Sequence, residues 1–93
     1  MQLPIKYSES HWSVRREARN LYVEMQGGNC YHCQKPLSGK PSGEVLKRQI
    51  NWRLFPQNFL KYPVHLHNCH NTDFTIGAVH AYCNAVLWQY HGE

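Results

Sequence analysis

At 93 residues, 42 % of them hydrophobic and three of them tryptophan, the chain is sized for one domain over 1–93 and is too apolar for global disorder. A net charge of +4 with histidine neutral and a pI of about 9.0 suit a polyanionic partner. No segment approaches the roughly twenty apolar residues of a membrane span, which argues against a membrane protein.

So short a chain buries little apolar surface, and a staple is expected; the four cysteines supply it as two disulfides or as metal ligands. The N-terminus, MQLPIKYSESHWSVRREARN, shows neither an apolar signal core nor a small-residue cleavage site. That predicts a soluble cytoplasmic protein with reduced cysteines, and so metal ligation.

In chain order, Met1 to Tyr7 reads as an extended arm, because Pro4 disfavours helix at Leu3. Ser8 or Ser10 can cap a helix running to about Gln26, with Trp12, Ala18, Leu21, Tyr22 and Met25 as an imperfect apolar stripe and Gly27-Gly28 as the stop. Arg15, Arg16 and Arg19 fall on its remaining surface, either as a solvated face beside Glu17 and Glu24 or as phosphate contacts. Cys30-Tyr-His-Cys33 is a C-x2-C turn that presents two thiolates to one ion; a redox pair is the other reading, without a βαβ pattern around it.

Gln34 to Gly43 is a loop whose Lys35 and Lys40 are open to a ligand. Glu44 to Leu54 reads as a short helix in preference to a strand, ended by Phe55-Pro56, with Trp52, Phe55 and Phe59 as core residues. Val64 to Asn68 reads as a strand, Asn71 to Asp73 as a turn, Phe74 to Ile76 as a second strand, and Val79 to about Gln89 as a helix. The fold class is therefore small α+β, with an N-terminal helix and a ββα unit over about 64–90. Trp88 and Tyr90 are expected to pack on the first helix or on a second copy of the chain, a homodimer.

Within that unit His80-Ala-Tyr-Cys83 repeats the spacing of Cys30 and Cys33, so the two pairs can close a tetrahedral Cys3His zinc site. Cys69 in place of His80, or buried cysteines without metal, are the alternatives. His65, His67, His70 and Asn84 then remain near one another, and strand alternation puts His65 and His67 on one face.

The run His65-Leu-His67-Asn68-Cys69-His70-Asn71-Thr72, then Gly77 and His80-Ala-Tyr-Cys83-Asn84, resembles the ββα-metal core of phage-type HNH endonucleases, including those that resolve branched DNA. The resemblance covers Gly28 to Cys33 and Val64 to about Asn84 well, and Gln34 to Tyr62 weakly. It implies hydrolysis of DNA phosphodiester bonds, on double-stranded or branched DNA, in a phage-infected or bacterial cytoplasm. It further implies His67 and Asn84 as ligands of a catalytic divalent cation such as Mg2+ or Mn2+, with His70 supporting the phosphate.

Asn68 stands where that family carries its general-base histidine, and an amide cannot hold a proton near neutral pH. An inactivated nuclease, a natural DNA-binding module without cleavage, and a nuclease using His65 or His70 as base are the three readings that follow. Asp73 replaces a common glycine, and Cys69 an acidic residue. A zinc-ribbon-like binding module without nuclease ancestry and a redox protein using Cys30 and Cys33 are the rival classes.

Overall fold

The computed structural model describes residues 1–92; Glu93, the last residue of the terminal run, lies outside the described residues. Helix α1, Trp12–Met25, buries Ala18 and Tyr22, one turn apart on a single face. Trp12 and Met25, expected in the apolar stripe, are 61 % and 71 % exposed. The helix is capped by neither expected serine. His11 accepts from the Ser13 amide through Nδ1, while the Ser8 hydroxyl donates to Asp73 at 2.6 Å and that of Ser10 to the Lys6 carbonyl at 2.7 Å. Both serines are thus spent on the arm.

At its other end α1 stops as expected. Gly27 and Gly28 take positive φ angles of 65° and 79°, and the Gly28 amide reaches back to the Val23 carbonyl, closing the last turn. The N-terminal arm is extended and lies along the start of the second strand: Lys6 bridges Phe74, Tyr7 donates its amide to Asp73, and Thr75 donates to Ile5. Asp73 sits at φ 67°, a left-handed conformation that Asp tolerates, and its carboxylate is held below the usual range, chiefly by the Ser8 hydroxyl.

Strands β1, Val64–Asn68, and β2, Thr75–His80, form an antiparallel pair from Val64↔His80 to Asn68↔Thr75. The register shifts between His67 and Asn68, leaving Ile76 as an extra residue. Strand β2 therefore runs four residues past the expected end, and the helix, Ala81–His91, starts at Ala81 rather than Val79. The extension has a physical cause: Gln26 clamps the outer edge of β2, its Nε2 donating to the Ala78 carbonyl and its Oε1 accepting from the Ala78 amide, both at 2.9 Å. With β1 on one side and that amide on the other, extended backbone is satisfied at both edges.

The expected helix over 44–54 is two shorter pieces, α2 over Gly43–Leu46 and a 3-10 turn over Trp52–Leu54. The break is stabilised from outside. Helix α3, Ala81–His91, reaches across to residues 49–51: Gln89 accepts from the Asn51 amide, while Gln89 and Tyr90 donate to the Gln49 carbonyl. Asn51 then caps the new turn by accepting from the Arg53 amide. Trp88 packs edge-on against Phe55 at 5.2 Å, not against α1, and Trp52 stays 42 % exposed at the end of this aromatic row.

Helices α1 and α3 each pack on both strands without a close backbone approach to one another. Ala18, Tyr22, Leu66, Ala78, Val79, Val86 and Leu87 fill the core, continuous with Cys30 and Cys83. Gly77 admits the close approach beside the clamp, because a Cβ there would lie 2.9 Å from Gln26 Oε1 and 3.0 Å from Tyr31 Cβ. Gly77→Ala should therefore destabilise the zinc-loaded protein by about 1–3 kcal/mol through overpacking. Urea unfolding checks this as a lower midpoint at unchanged slope, and an unchanged midpoint would remove the clamp's role.

Candidate metal centre and arginine-lined cleft

Cys30 and Cys33 stand on the turn that follows α1, shaped by Gln34 donating to the Cys30 carbonyl and Cys30 to the Lys35 carbonyl. His80 ends β2 and Cys83 lies on the first turn of α3. The four ligand atoms lie within 4.8 Å of one another, and among the described residues no other set of three or more His, Cys, Asp or Glu side chains converges in this way. Cys69 is not part of the set; it is half-buried and in no disulfide.

The donor chemistry fits zinc. His80 Nε2 bonds the Pro36 carbonyl at 2.8 Å, which requires its proton there and turns the Nδ1 lone pair toward the sulfurs of Cys33 at 3.4 Å and Cys83 at 3.7 Å. A tetrahedral zinc with bonds of about 2.3 Å to sulfur and 2.0–2.1 Å to nitrogen sets neighbouring S and N about 3.6 Å apart. The observed separations bracket that value.

The thiols show the charge that such an ion would balance. Cys30 is drawn down to about 4, first by the hydrogen bond from Cys83 and then by backbone amides of Cys33, His80 and His32, against the effect of burial. Cys83 moves the opposite way, raised by its bond to Cys30, by burial and by the charge of its neighbours. Without a cation the crowded site favours one thiolate; a divalent ion releases the remaining protons.

A second feature lies on the side of β1 and α3 that faces α1. A cleft of about 640 Å³ is lined by Arg15, Arg16 and Arg19 together with His65 and Asn84. Asn84 Nδ2 lies 3.1 Å from His65 Nδ1 and donates to it. The pKa of His65 is lowered, mainly by burial and further by the Arg19 charge, while the Phe59 and Tyr62 carbonyls that hold the ring pull the other way. Tyr7, Trp12, Phe59 and Tyr62 add aromatic surface to the same cleft.

The other expected site residues lie elsewhere. His67 is 2 % exposed and lines a separate pocket with Tyr31, His32, Ile76 and Leu87. Asn68 ends β1 at the register shift, and His70 is exposed in the turn beyond. Lys35 and Lys40 are exposed on the loop after Cys33 and do not line the cleft. The structure thus brings the α1 arginines to Asn84 and to His65, the histidine two residues before His67.

Sequence reasoning missed the Pro36 carbonyl behind His80 and the aromatic rim. The second was readable: Trp12, Arg15, Arg16 and Arg19 are three or four residues apart on one helix, which puts them on neighbouring surface. Comparisons with protein-family models, curated proteins and solved structures found no match to this chain.

Two outcomes are expected. The purified protein should hold one zinc per chain, and chelation or Cys83→Ser should unfold it, since structural zinc contributes on the order of 10–16 kcal/mol against a usual stability of about 5–15. Elemental analysis with circular dichroism reads both, and a folded, metal-free protein would remove the staple. His65 should titrate below its ordinary 6.5, and Arg19→Ala should move its midpoint upward in an NMR titration. Because the unfolded chain takes that proton first, His65's contribution to stability is complete above pH about 6.5 and declines as the pH falls below it.

Proposed function

We propose that this chain is a zinc-stapled domain of HNH type that binds DNA phosphates in the arginine-lined cleft and, with Asn68 at the general-base position, cleaves poorly. The observation that carries the reading is the convergence of Arg15, Arg16 and Arg19 with Asn84, the residue next to zinc ligand Cys83, in one cleft. Among the described residues the one ion pair is Lys6 with Glu9; none of these arginines is in a salt bridge, although Arg15 lies near enough to Asp73 to stabilise its charge. Unpaired guanidiniums on a rigid helix suit phosphate oxygens, which they can contact in pairs.

The chain's own residues then divide the work. The arginines bind and orient the phosphodiester, and Asn84, its Nδ2 bonded to His65, lines the same space. Asn68, which does not line the cleft, could hydrogen-bond a water but could not take its proton. The family resemblance implies a divalent cation beside the scissile phosphate.

The residues present fit that cation poorly. The oxygen ligands a hard ion prefers are limited to one amide, no acidic residue lines the cleft, and nearly buried His67 faces a different pocket. That separation favours the second reading, a DNA-binding module without hydrolysis.

Plasmid cleavage by the chain and by Asn68→His, each with Mg2+ or Mn2+ and with EDTA, separates the two once zinc content is matched. Cutting by the histidine version alone identifies a nuclease lacking its base; DNA binding with no cutting by either identifies the binding module. Binding should weaken with salt, and Arg19→Ala should reduce the logarithmic salt slope by about 1. Equal cutting by both versions would overturn the account of Asn68, and absence of DNA binding at low salt would overturn the whole reading.

A further inference from the structure

The cleft carries more than charge. Trp12 opens α1 and Tyr62 precedes β1; both line the cleft, and each is 61 % exposed. Such large aromatic rings bury far more apolar surface when covered than their setting requires for folding. Beside each lies a cation, Arg16 at Trp12 and Lys61 at Tyr62, the Lys61 Nζ 5.6 Å from the Tyr62 ring centre. The Arg16 guanidinium sits 5.0 Å from the Trp12 ring centre, and Arg15 sits 4.1 Å from that of Tyr7 while its Nε donates to the Tyr7 carbonyl at 2.8 Å. Arg15 is therefore pinned in place, and Trp12, contacted by Arg16 and by the tilted His11 ring at 5.4 Å, keeps most of its surface open to solvent.

A continuous duplex offers this arrangement only half of what it can bind. Stacked bases keep their faces inside the helix, so a duplex meets the arginines with phosphates and leaves the aromatic faces uncovered. An unstacked nucleotide presents both a phosphate and a π-face, and base-on-aromatic stacking beside arginine is how strands without pairing are held. The volume agrees. About 640 Å³ lies within the range of about 300–1,000 Å³ that encloses a small-molecule-sized ligand, and matches a nucleotide or two rather than the breadth of a helix.

We infer that the cleft binds unpaired nucleotides of single-stranded DNA, with the phosphates on Arg15, Arg16 and Arg19 and a base stacked on Trp12 or Tyr62. The inference rests on the reading of the cleft as a DNA-phosphate site and adds the strand state it prefers. His65 and Asn84, bonded to each other, form part of its lining and fix its shape without being required as readers of the base. Among the described residues no carboxylate is part of the lining, which suits the entry of a polyanion.

The test measures binding of the zinc-loaded chain to three fluorescein-labelled DNAs of equal length by anisotropy at fixed salt: an oligothymidine, the same backbone with abasic sites, and a duplex. Counted per phosphate, the oligothymidine should bind at least about fivefold more tightly than the abasic strand, the lower edge of what one stacked base contributes. Trp12→Ala or Tyr62→Ala should erase that preference with zinc content and circular dichroism unchanged, and Trp12→Phe should restore part of it. Equal binding of all three DNAs, lost in Arg19→Ala, overturns the stacking inference and leaves the phosphate site standing. Tighter binding of the duplex overturns it likewise. No binding of any DNA overturns both.

Discussion

Two distant chain segments converge at one point, Cys30 and Cys33 on one side and His80 and Cys83 on the other, beside the Gln26 clamp on Ala78. Helix α1 delivers the first pair through its glycine stop, and the junction of β2 with α3 delivers the second. Because α1 and α3 pack on the sheet without a close backbone approach to each other, this cluster and the Gln26 clamp fix the angle of α1 against the ββα unit. The arginines are on α1 and Asn84 is on α3, so the width of the cleft between them inherits that constraint. A small core supplies the packing, and the cluster supplies the register.

The ligand set was legible because zinc imposes a short-range grammar: two ligands three positions apart in a tight turn, used twice. Cys30, Cys33, His80 and Cys83 obey it, and the structure gathers them with Cys69 left out. The order of strand, strand and helix was legible for a similar reason, since Val64 to Asn68 alternates and the glycine pair punctuates α1. What was not legible was set by distant side chains. Nothing near Val79 in sequence reports that Gln26 will pair with Ala78, or that Gln89 and Tyr90 will hold residues 49–51 out of a helix. The serine caps failed in the same manner, because Ser8 is claimed by Asp73, sixty-five residues away. Local propensity predicts elements; long-range hydrogen bonds decide where they end.

The extra residue at the register shift, Ile76, is on β2 and opposite the step from His67 to Asn68, so β1 stays in register through His65 and His67. Alternation alone made His65 and His67 equivalent tenants of one face, yet they occupy different surroundings: His65 meets Asn84 at the arginine cleft, and His67 lies beside His32 and Leu87. His65 is thus a positioning residue. Its ring accepts from Asn84 and is held by the carbonyls of Phe59 and Tyr62, so it fastens residues 59–62, with the exposed Tyr62, to the wall of the cleft. The cost of that fastening is a neutral imidazole, which the neighbouring Arg19 charge also favours.

The electrostatics of the metal centre and of the cleft must be kept apart. Three thiolates around one zinc would leave that centre with one net negative charge, the same as the single thiolate favoured without the ion, so loading the metal would add no positive charge to the chain. Zinc cannot therefore draw a polyanion by its charge. Any dependence of DNA binding on zinc has to run through shape, by holding α1 at the distance from α3 at which its arginines, its tryptophan and Asn84 share one space. On this argument the positive potential of the molecule comes from surface arginines and lysines free to exchange counterions, and the metal determines only where three of those charges are presented.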